Sequence, residues 1–421
     1  MVESVLAISH VESAAFKIFV TNLTSGRLAP RTRQTVLKQL QDRYNRSKID
    51  LVETLRNVNS VCTTADCWAS RKRSFLGVTV HWLDSTLQRC SSCLAIRQLS
   101  GPHTYEVLAR ELEQIHVEFG LAGKICVTVT DGGSNFLKAF GQFGLEEVHY
   151  TTLENADTLC LVDVDLTAED VQNIIQRDSG ISVESLDDEQ VMYNLPPHFK
   201  CSCHLLNLVA TTDLSKIEGT VKRVLTQVFG KLSGIWNKQN RSSQSAEKIR
   251  EALGTLLVTP GDTRWNSTYD AMSKVSNIIS NPNLEAKFDS LCDELVGKRF
   301  MPLQKTFINE YVSVMAPVCC ALDVLQGDKA TCLGYLLPTL NETLHQLLDL
   351  KHAGLTICEP MVDILVESIR RRFSHVLNDR KMKLAAVVHP KFKLDWVDDG
   401  MHKAEMTEWL KQAVQQTVLK C

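Results

Sequence analysis

Two aspartates, Asp66 and Asp131, stand at the ends of predicted β-strands, where a carboxylate could do chemistry. Carboxylates from adjacent strands can bridge two Mg²⁺ or Mn²⁺ ions about 4 Å apart. One ion then activates a water or a 3′-hydroxyl, and the other stabilises the leaving oxygen of a phosphodiester. Strand ends and turns are also ordinary places for Asp, because its short side chain bonds the nearby backbone. From residue types alone, both interpretations stay open.

The run Cys201-Ser202-Cys203-His204 is a second candidate for chemistry, since His204 could contact a phosphate or orient a carboxylate. Zinc is the competing interpretation, because Cys90 and Cys93 have ligand spacing and could pair with Cys201 and His204. Both cysteines lie in a predicted strand without a glycine between them, so we expect no zinc. The 14 cysteines are spread over 421 residues, and we expect most to be reduced core residues.

Three β-rich runs, an amphipathic helix and a fourth, buried strand must position these side chains. The strands are predicted at 61–68, 74–82, 90–97 and 125–130, and the helix at 103–119. This β1-β2-β3-α-β4 order is that of the RNase H-like fold, in which the fourth strand lies beside the first. The topology therefore predicts that Asp66 and Asp131 meet at one edge of the sheet.

Helical segments are predicted before and after this sheet in the sequence. Residues 1–58 form a basic, helical N-terminal segment, and 59–215 form the RNase H-like core with an acidic, mobile insertion at 146–190. Residues 216–421 form a helical domain. The predicted fold class is α/β, with an RNase H-like mixed sheet interrupted by a large all-α insertion domain.

The composition, 44% hydrophobic and 23% charged, excludes wholesale disorder. No uninterrupted apolar stretch reaches membrane-spanning length and no signal peptide is recognised, so we expect a cytosolic or nuclear protein without a membrane partner. The formal net charge of -3 conceals an asymmetry: residues 146–190 hold 13 acidic residues and one basic residue, so the remaining chain carries +9. A basic body is compatible with a polyanion partner, and equally with a solvated surface beside an acidic loop.

Four motifs in a fixed order carry a family resemblance. They are Thr64-Ala65-Asp66-Cys67-Trp68-Ala69-Ser70, Thr130-Asp131-Gly132-Gly133-Ser134-Asn135, Cys201-Ser202-Cys203-His204-Leu205-Leu206-Asn207-Leu208 and Thr263-Arg264-Trp265-Asn266-Ser267-Thr268-Tyr269. With these motifs the chain resembles hAT-superfamily transposases, and it closely resembles transposon-derived proteins that carry BED zinc fingers. The resemblance extends from about Glu12 to Trp396.

The resemblance implies a role for each motif. Asp66 and Asp131 match the first two of three acidic ligands for Mg²⁺ or Mn²⁺, and His204 matches a supporting residue beside them. Trp265 matches a tryptophan that stacks on a flipped base, and Arg264 matches an arginine that holds a phosphate. With Lys200 they would line a DNA-binding groove. Packing of Trp265 inside the helical domain is the alternative, with Asp262 or Thr263 capping the next helix.

The chain departs from the family pattern in two places. The BED finger is not found before Asp66, and the third carboxylate, a Glu-Trp pair that opens a C-terminal dimerisation region, is not found before Cys421. Glu408-Trp409 imitates that pair but follows the His389-Pro390-Lys391-Phe392-Lys393 element too closely. We therefore expect Glu408 not to be the third ligand and catalysis to be incomplete.

Three functions remain in view. The first is a nuclear, transposon-derived nucleic-acid-binding protein, an incomplete or domesticated transposase core without demonstrated catalysis. The second is a metal-dependent strand-transferase whose third carboxylate comes from a missing C-terminal region or a partner chain. The third is a scaffold that binds proteins through its helical domain. The motifs do not predict the oligomeric state.

Overall fold

The structure, a computed structural model, describes residues 7–27, 31–70, 72–144, 193–261, 265–327 and 331–418. The predicted insertion at 146–190 and the residues Asp262, Thr263 and Arg264 lie outside these ranges. The described residues divide into two compact units. The sheet unit extends to Phe199 and the helical unit begins at Lys200.

The sheet unit holds five strands and four helices in its described part. The strands are β1 (Val61–Ser70), β2 (Arg73–Leu83), β3 (Arg89–Leu99), β4 (Ile125–Thr130) and β5 (His198–Lys200), the last of which ends on the first residue of the helical unit. The helices are α1 (Ala14–Leu23), α2 (Arg33–Arg56), α3 (Tyr105–Glu118) and α4 (Ser134–Phe143).

The strand order across the sheet is β3-β2-β1-β4-β5. β1 pairs antiparallel with β2 and β2 antiparallel with β3, whereas β4 runs parallel to β1. α3 provides the crossover that a parallel neighbour requires. The predicted mixed sheet, with β4 beside β1, is therefore confirmed.

Successive side chains of a strand point to opposite faces of the sheet. The apolar residues on one face pack against helices in a shared core. Leu76, Val78 and Val80 of β2 are completely buried and belong to the same core as Leu112 of α3 and Leu55 of α2. Burying each such side chain contributes about 1.5 to 3 kcal/mol. This packing fixes which residues of β1 face away from the core.

The helical unit is built from α5 to α15 and short irregular turns. The helices are α5 (Ser202–Leu208), α6 (Gly219–Arg241), α7 (Ser243–Leu253), α8 (Asn266–Ile279), α9 (Pro282–Val296), α10 (Pro302–Leu325), α11 (Leu336–Ala353), α12 (Glu359–Arg372), α13 (Ser374–Leu377), α14 (Arg380–Val387) and α15 (Gly400–Val418). A π-helix, Val209–Asp213, continues α5 and packs on α12. Residues 200–215 therefore belong with the helical unit, whereas the sequence placed them in the core.

α10 is the central helix of this unit. Phe307, Ile308, Val314 and Met315 are completely buried, and α10 packs against α8 and α11. Among the described helices it is the one with the length and hydropathy of a membrane span, but half of its most apolar window is buried inside the protein. Its apolar character is that of a core helix.

Glu310 of α10 ties the start of α12 to the centre of the unit. Its carboxylate accepts backbone N–H bonds from Thr356 (2.7 Å), Ile357 (2.8 Å) and Cys358 (2.9 Å). Burial raises the pKa of Glu310, but these hydrogen bonds lower it more, so the net pKa lies below its ordinary value of 4.5. The carboxylate satisfies N–H groups that precede α12 and favours its positive end.

We expect Glu310→Gln to reduce the free energy of unfolding by about 1 to 2 kcal/mol, because an amide oxygen accepts these bonds more weakly than a carboxylate. Since the folded pKa is lowered, the stabilisation is present above the unfolded pKa and is lost as pH falls through the folded value. Urea unfolding at pH 7 and at pH 3 measures both effects. Glu367→Gln, an exposed site on α12, is the control. An equal loss in both variants would contradict the assignment.

Candidate functional site

The two aspartates predicted to do chemistry follow paired residues of neighbouring strands. In the parallel register of β1 with β4, Ala65 lies opposite Thr130. Asp66 is the next residue of β1 and Asp131 directly follows β4, so the two residues are neighbours where the β1–β4 pairing ends. Asp66 is exposed and Asp131 is half-buried. The predicted juxtaposition of the two positions follows from this register.

A glycine turn holds the carboxylate of Asp131 in place. Gly132 adopts a φ of +82°, a conformation that side-chain-bearing residues rarely take. The Gly133 N–H then donates to Asp131 Oδ1 at 3.0 Å, and a Cβ at Gly133 would lie 3.3 Å from the same oxygen. α4 begins directly afterwards at Ser134. The two glycines thus allow the backbone to approach the carboxylate closely.

His198 of β5 supports this turn through a hydrogen bond to Thr130. No role was predicted for it from the sequence. Its ring is 2% exposed, stacks on Phe140 at 4.4 Å and hydrogen-bonds Thr130 Oγ1 at 2.8 Å. The same hydroxyl accepts the Gly132 N–H at 3.3 Å. His198 therefore fixes the residue before Asp131 and the residue after it. The only signal in the sequence is a histidine at the start of a short predicted strand.

The thiol pKa of Cys67 is affected by both aspartates of the site. Burial raises the pKa of its thiol to about 12, with further contributions from the negative charges of Asp131 and Asp66. One thiol is therefore within electrostatic reach of both carboxylates. At neutral pH it stays protonated and is a poor nucleophile or metal ligand. Asp66 and Asp131 are the charged groups at this position.

Trp68 covers part of the sheet beside Asp66. Asp66 lies opposite Gly77 in the β1–β2 ladder, and a Cβ at Gly77 would lie 2.7 Å from the Trp68 ring. The indole stacks on Phe75 with ring centroids 5.8 Å apart and is 39% exposed. Gly77 thus gives the indole room to lie over the neighbouring strand, next to the carboxylate.

Two carboxylates, Asp66 and Asp131, could contribute ligands to a divalent cation. Mg²⁺ is commonly held by one or two carboxylates together with water. Within the described ranges, no group of three or more His, Cys, Asp or Glu side chains is placed to hold a metal ion. Glu408 lies on α15 and forms an ion pair with Lys411 at 3.6 Å. A third donor for this pair is not identified among the residues that the structure describes.

The other predicted site residues lie in the helical unit. Lys200 is half-buried, and burial, followed by the charge of Arg372, lowers its pKa. His204 is half-buried on α5. Trp265 is 7% exposed, its backbone N–H donates to Asn207 Oδ1 at 3.4 Å, and its ring lies 6.0 Å from that of Tyr269. This position favours packing of Trp265 inside the unit over an exposed stacking surface.

Comparisons with known proteins agree with the motif order. A family model of the ZBED1 RNase-like domain matches residues 64–148, which include both aspartates. A Zea mays protein named as an AC transposase is 26% identical over 294 residues, 67% of this chain and 31% of that protein. The resemblance to hAT-type transposases is confirmed.

Two further relatives extend the comparison. A Zea mays protein named as an AC9 transposase is 26% identical over 263 residues, 62% of this chain and 27% of that protein. A Talaromyces stipitatus protein named as the transcriptional regulator tpeD is 27% identical over 290 residues, 66% of this chain and 28% of that protein. The chain thus spans less than a third of the length of these three relatives.

We expect His198→Phe and Thr130→Val each to reduce the free energy of unfolding by about 1 to 2 kcal/mol, because each removes the buried hydrogen bond between the two side chains. Phe keeps the ring contact with Phe140. The double variant should lose less than the sum of the two single losses, since it removes both partners together. Denaturant titration of the four proteins measures the coupling. Additive losses would mean that the hydrogen bond does not support the turn.

Proposed function

We propose that this chain is a nuclear DNA-binding protein derived from a hAT-type transposase. In this proposal an RNase H-like sheet carries the remnant of a catalytic centre, and the helical unit is the insertion domain of that fold. Similarity to two transposases and to a transcriptional regulator supports both the origin and a nuclear location. The activity and the partners of the whole protein are part of the proposal.

The charge distribution is the observation that carries DNA binding. Residues outside 146–190 together hold a charge of +9. Each phosphate of DNA that a Lys or Arg neutralises releases condensed counterions, which favours binding at low salt irrespective of base sequence. A transposase-like chain with such a surplus is therefore suited to the DNA backbone, and DNA is the proposed partner.

Strand transfer is the second candidate, and the register of Asp66 with Asp131 favours it. The two carboxylates would hold Mg²⁺ or Mn²⁺, which supplies the polarisation needed to break a phosphodiester. His198 and the Gly132-Gly133 turn would keep Asp131 aimed at the cation. Two carboxylates give less negative charge than a two-metal site needs, so we propose that binding without strand transfer is the function of these residues.

We expect the affinity of the whole chain for a duplex to fall at least about tenfold between roughly 50 and 200 mM salt, since two phosphate contacts already produce that loss. Fluorescence anisotropy of a labelled duplex measures it. A duplex with an uncharged methylphosphonate backbone is the control and should bind weakly at every salt concentration. Salt-independent binding, or no binding, would contradict the proposal.

We expect no nicked or hairpin product when the chain is incubated with DNA and Mn²⁺. The reason is that, among the described residues, no third carboxylate is placed beside Asp66 and Asp131 to hold a metal ion. Gel analysis of an end-labelled duplex measures it, with Asp66→Asn as the matched variant of equal size. Cleavage by the unaltered chain that Asp66→Asn abolishes would overturn this expectation and establish the second candidate.

A further inference from the structure

The helical unit contains an open groove between α6 and the turn that follows α9. Its volume is about 960 Å³. Lys231 and Lys238 line it from α6, and Lys298 lines it from the turn. The residues that α6 contributes recur every three or four positions, so one face of this helix forms a wall of the groove. An occupant of the groove therefore lies along α6.

Lys231 is a cation of this groove that only uncharged groups hold. Its Nζ donates to the carbonyl oxygen of Arg299 at 2.6 Å and to Gln304 Oε1 at 2.7 Å. The same Nζ lies 5.1 Å from the centre of the Phe300 ring. Among the residues that the structure describes, no carboxylate lies within ion-pair distance of Lys231. A lysine has three N–H donors, so these two hydrogen bonds leave the third for a ligand.

Two further lysines line the groove with their side chains exposed. Lys238 lies two helical turns after Lys231 on α6, and Lys298 follows Gly297, the C-cap of α9. Neither side chain forms a hydrogen bond or an ion pair with another described residue. Three lysines whose charge no carboxylate compensates thus line one groove.

The carboxylates beside the groove are already engaged by other cations. Asp293 pairs with Arg299, and Glu294 pairs with Lys248. Each pair neutralises one negative charge of the groove lining. Together with the three lysines, the lining and its ion-pair partners hold five cations and two carboxylates. Such an excess of positive charge in a groove favours an anionic occupant.

Gly230 keeps the middle of the groove open. It lies inside α6, where glycine is among the least favourable residues. A Cβ at Gly230 would meet no atom within 4 Å, so packing inside the protein does not require a glycine there. At Gly234, by contrast, a Cβ would lie 3.1 Å from Val296 Cγ1, so packing explains that glycine. The missing side chain at Gly230 leaves room beside Lys231 for a ligand to approach the helix.

The spacing of the lysines favours a chain of anionic groups over a single ion. Lys231 and Lys238 are seven residues apart, which corresponds to about 10.5 Å along a helix. Lys298 faces the groove from the side of α9. A DNA strand carries one charge per roughly 3.4 Å of helix axis, so it offers several phosphates over this length. Lysine ammonium groups neutralise phosphates as point charges.

We propose that this groove binds the phosphodiester backbone of DNA, with Lys231, Lys238 and Lys298 each facing a phosphate. This inference rests on the proposed function and names the site in the helical unit through which it acts. Gly230 admits the backbone to the wall of α6. Lys231 is already held by its two uncharged acceptors, so little of its conformational freedom is lost on binding.

The first test removes charge from the groove. It compares Lys238→Gln, Lys298→Gln and their double variant with Lys222→Gln, an exposed lysine of the same helix that lines a different cavity. The probe is a labelled duplex, followed by fluorescence anisotropy at several salt concentrations. We expect the double variant to raise Kd about tenfold and the slope of log K against log salt to fall by about 0.9 for each lysine removed. Lys222→Gln should change Kd less than about twofold.

The second test fills the groove without changing its charge. Gly230→Ala and Gly230→Leu should both raise the thermal unfolding temperature, because alanine and leucine favour a helix more than glycine and the added Cβ meets no atom. Gly230→Leu should nevertheless raise Kd for the duplex about tenfold, since its side chain occupies the groove. Gly230→Ala, the matched control, should change Kd less than about twofold. A loss of affinity in a more stable protein does not come from unfolding.

The outcomes separate this site from the proposed function. If the unaltered chain binds the duplex with salt dependence but the double lysine variant and Gly230→Leu behave like their controls, the groove is not the site and DNA binding stands. If the unaltered chain does not bind DNA, both fail.

Two other anions are titrated in parallel because they share the charge of DNA. If poly-L-glutamate binds and the groove variants weaken that binding while duplex affinity is unchanged, the groove takes acidic protein segments and the inference is overturned. If inorganic phosphate at matched ionic strength displaces the duplex from the unaltered chain, the groove is a site for a single phosphate, which equally overturns it.

Discussion

The parallel pairing of β1 with β4 is the constraint on which the candidate site depends. Because Ala65 lies opposite Thr130, the two aspartates that follow them are neighbours, although 64 residues lie between them in the chain. A register slip of one residue would move Asp66 to the other face of the sheet. The apolar residues of β2, buried on the helix-covered face, make such a slip costly.

Within each unit, polar contacts fix particular turns and helix ends. In the sheet unit, His198 and Thr130 hold the turn that presents Asp131. In the helical unit, Glu310 anchors the residues before α12, and Asp213 anchors the end of α12. Both ends of one helix are thus fixed by carboxylates, of which Glu310 is half-buried and Asp213 is buried. The two arginines at its C-terminal end, Arg371 and Arg372, are oriented as a result.

The sequence predicts the sheet well because alternation and strand order are local signals. Asp66 and Asp131 follow from that order and from the motifs around them. The support by His198 could not be predicted, since a hydrogen bond between strands leaves no periodic trace. The pairing of Arg371 and Arg372 with Asp213 joins residues about 160 positions apart, and no spacing rule connects them. The burial of Trp265 likewise depends on packing of α8 against its neighbours, which the sequence left undecided.

Mn²⁺ binding, followed by electron paramagnetic resonance, tests most directly whether Asp66 and Asp131 form one site. The series comprises the unaltered chain, Asp66→Asn, Asp131→Asn and the double variant. If the β1–β4 register joins the two carboxylates on one cation, each single change weakens binding and the double change loses less than the sum. Additive losses, or binding unaffected by either change, would contradict the account.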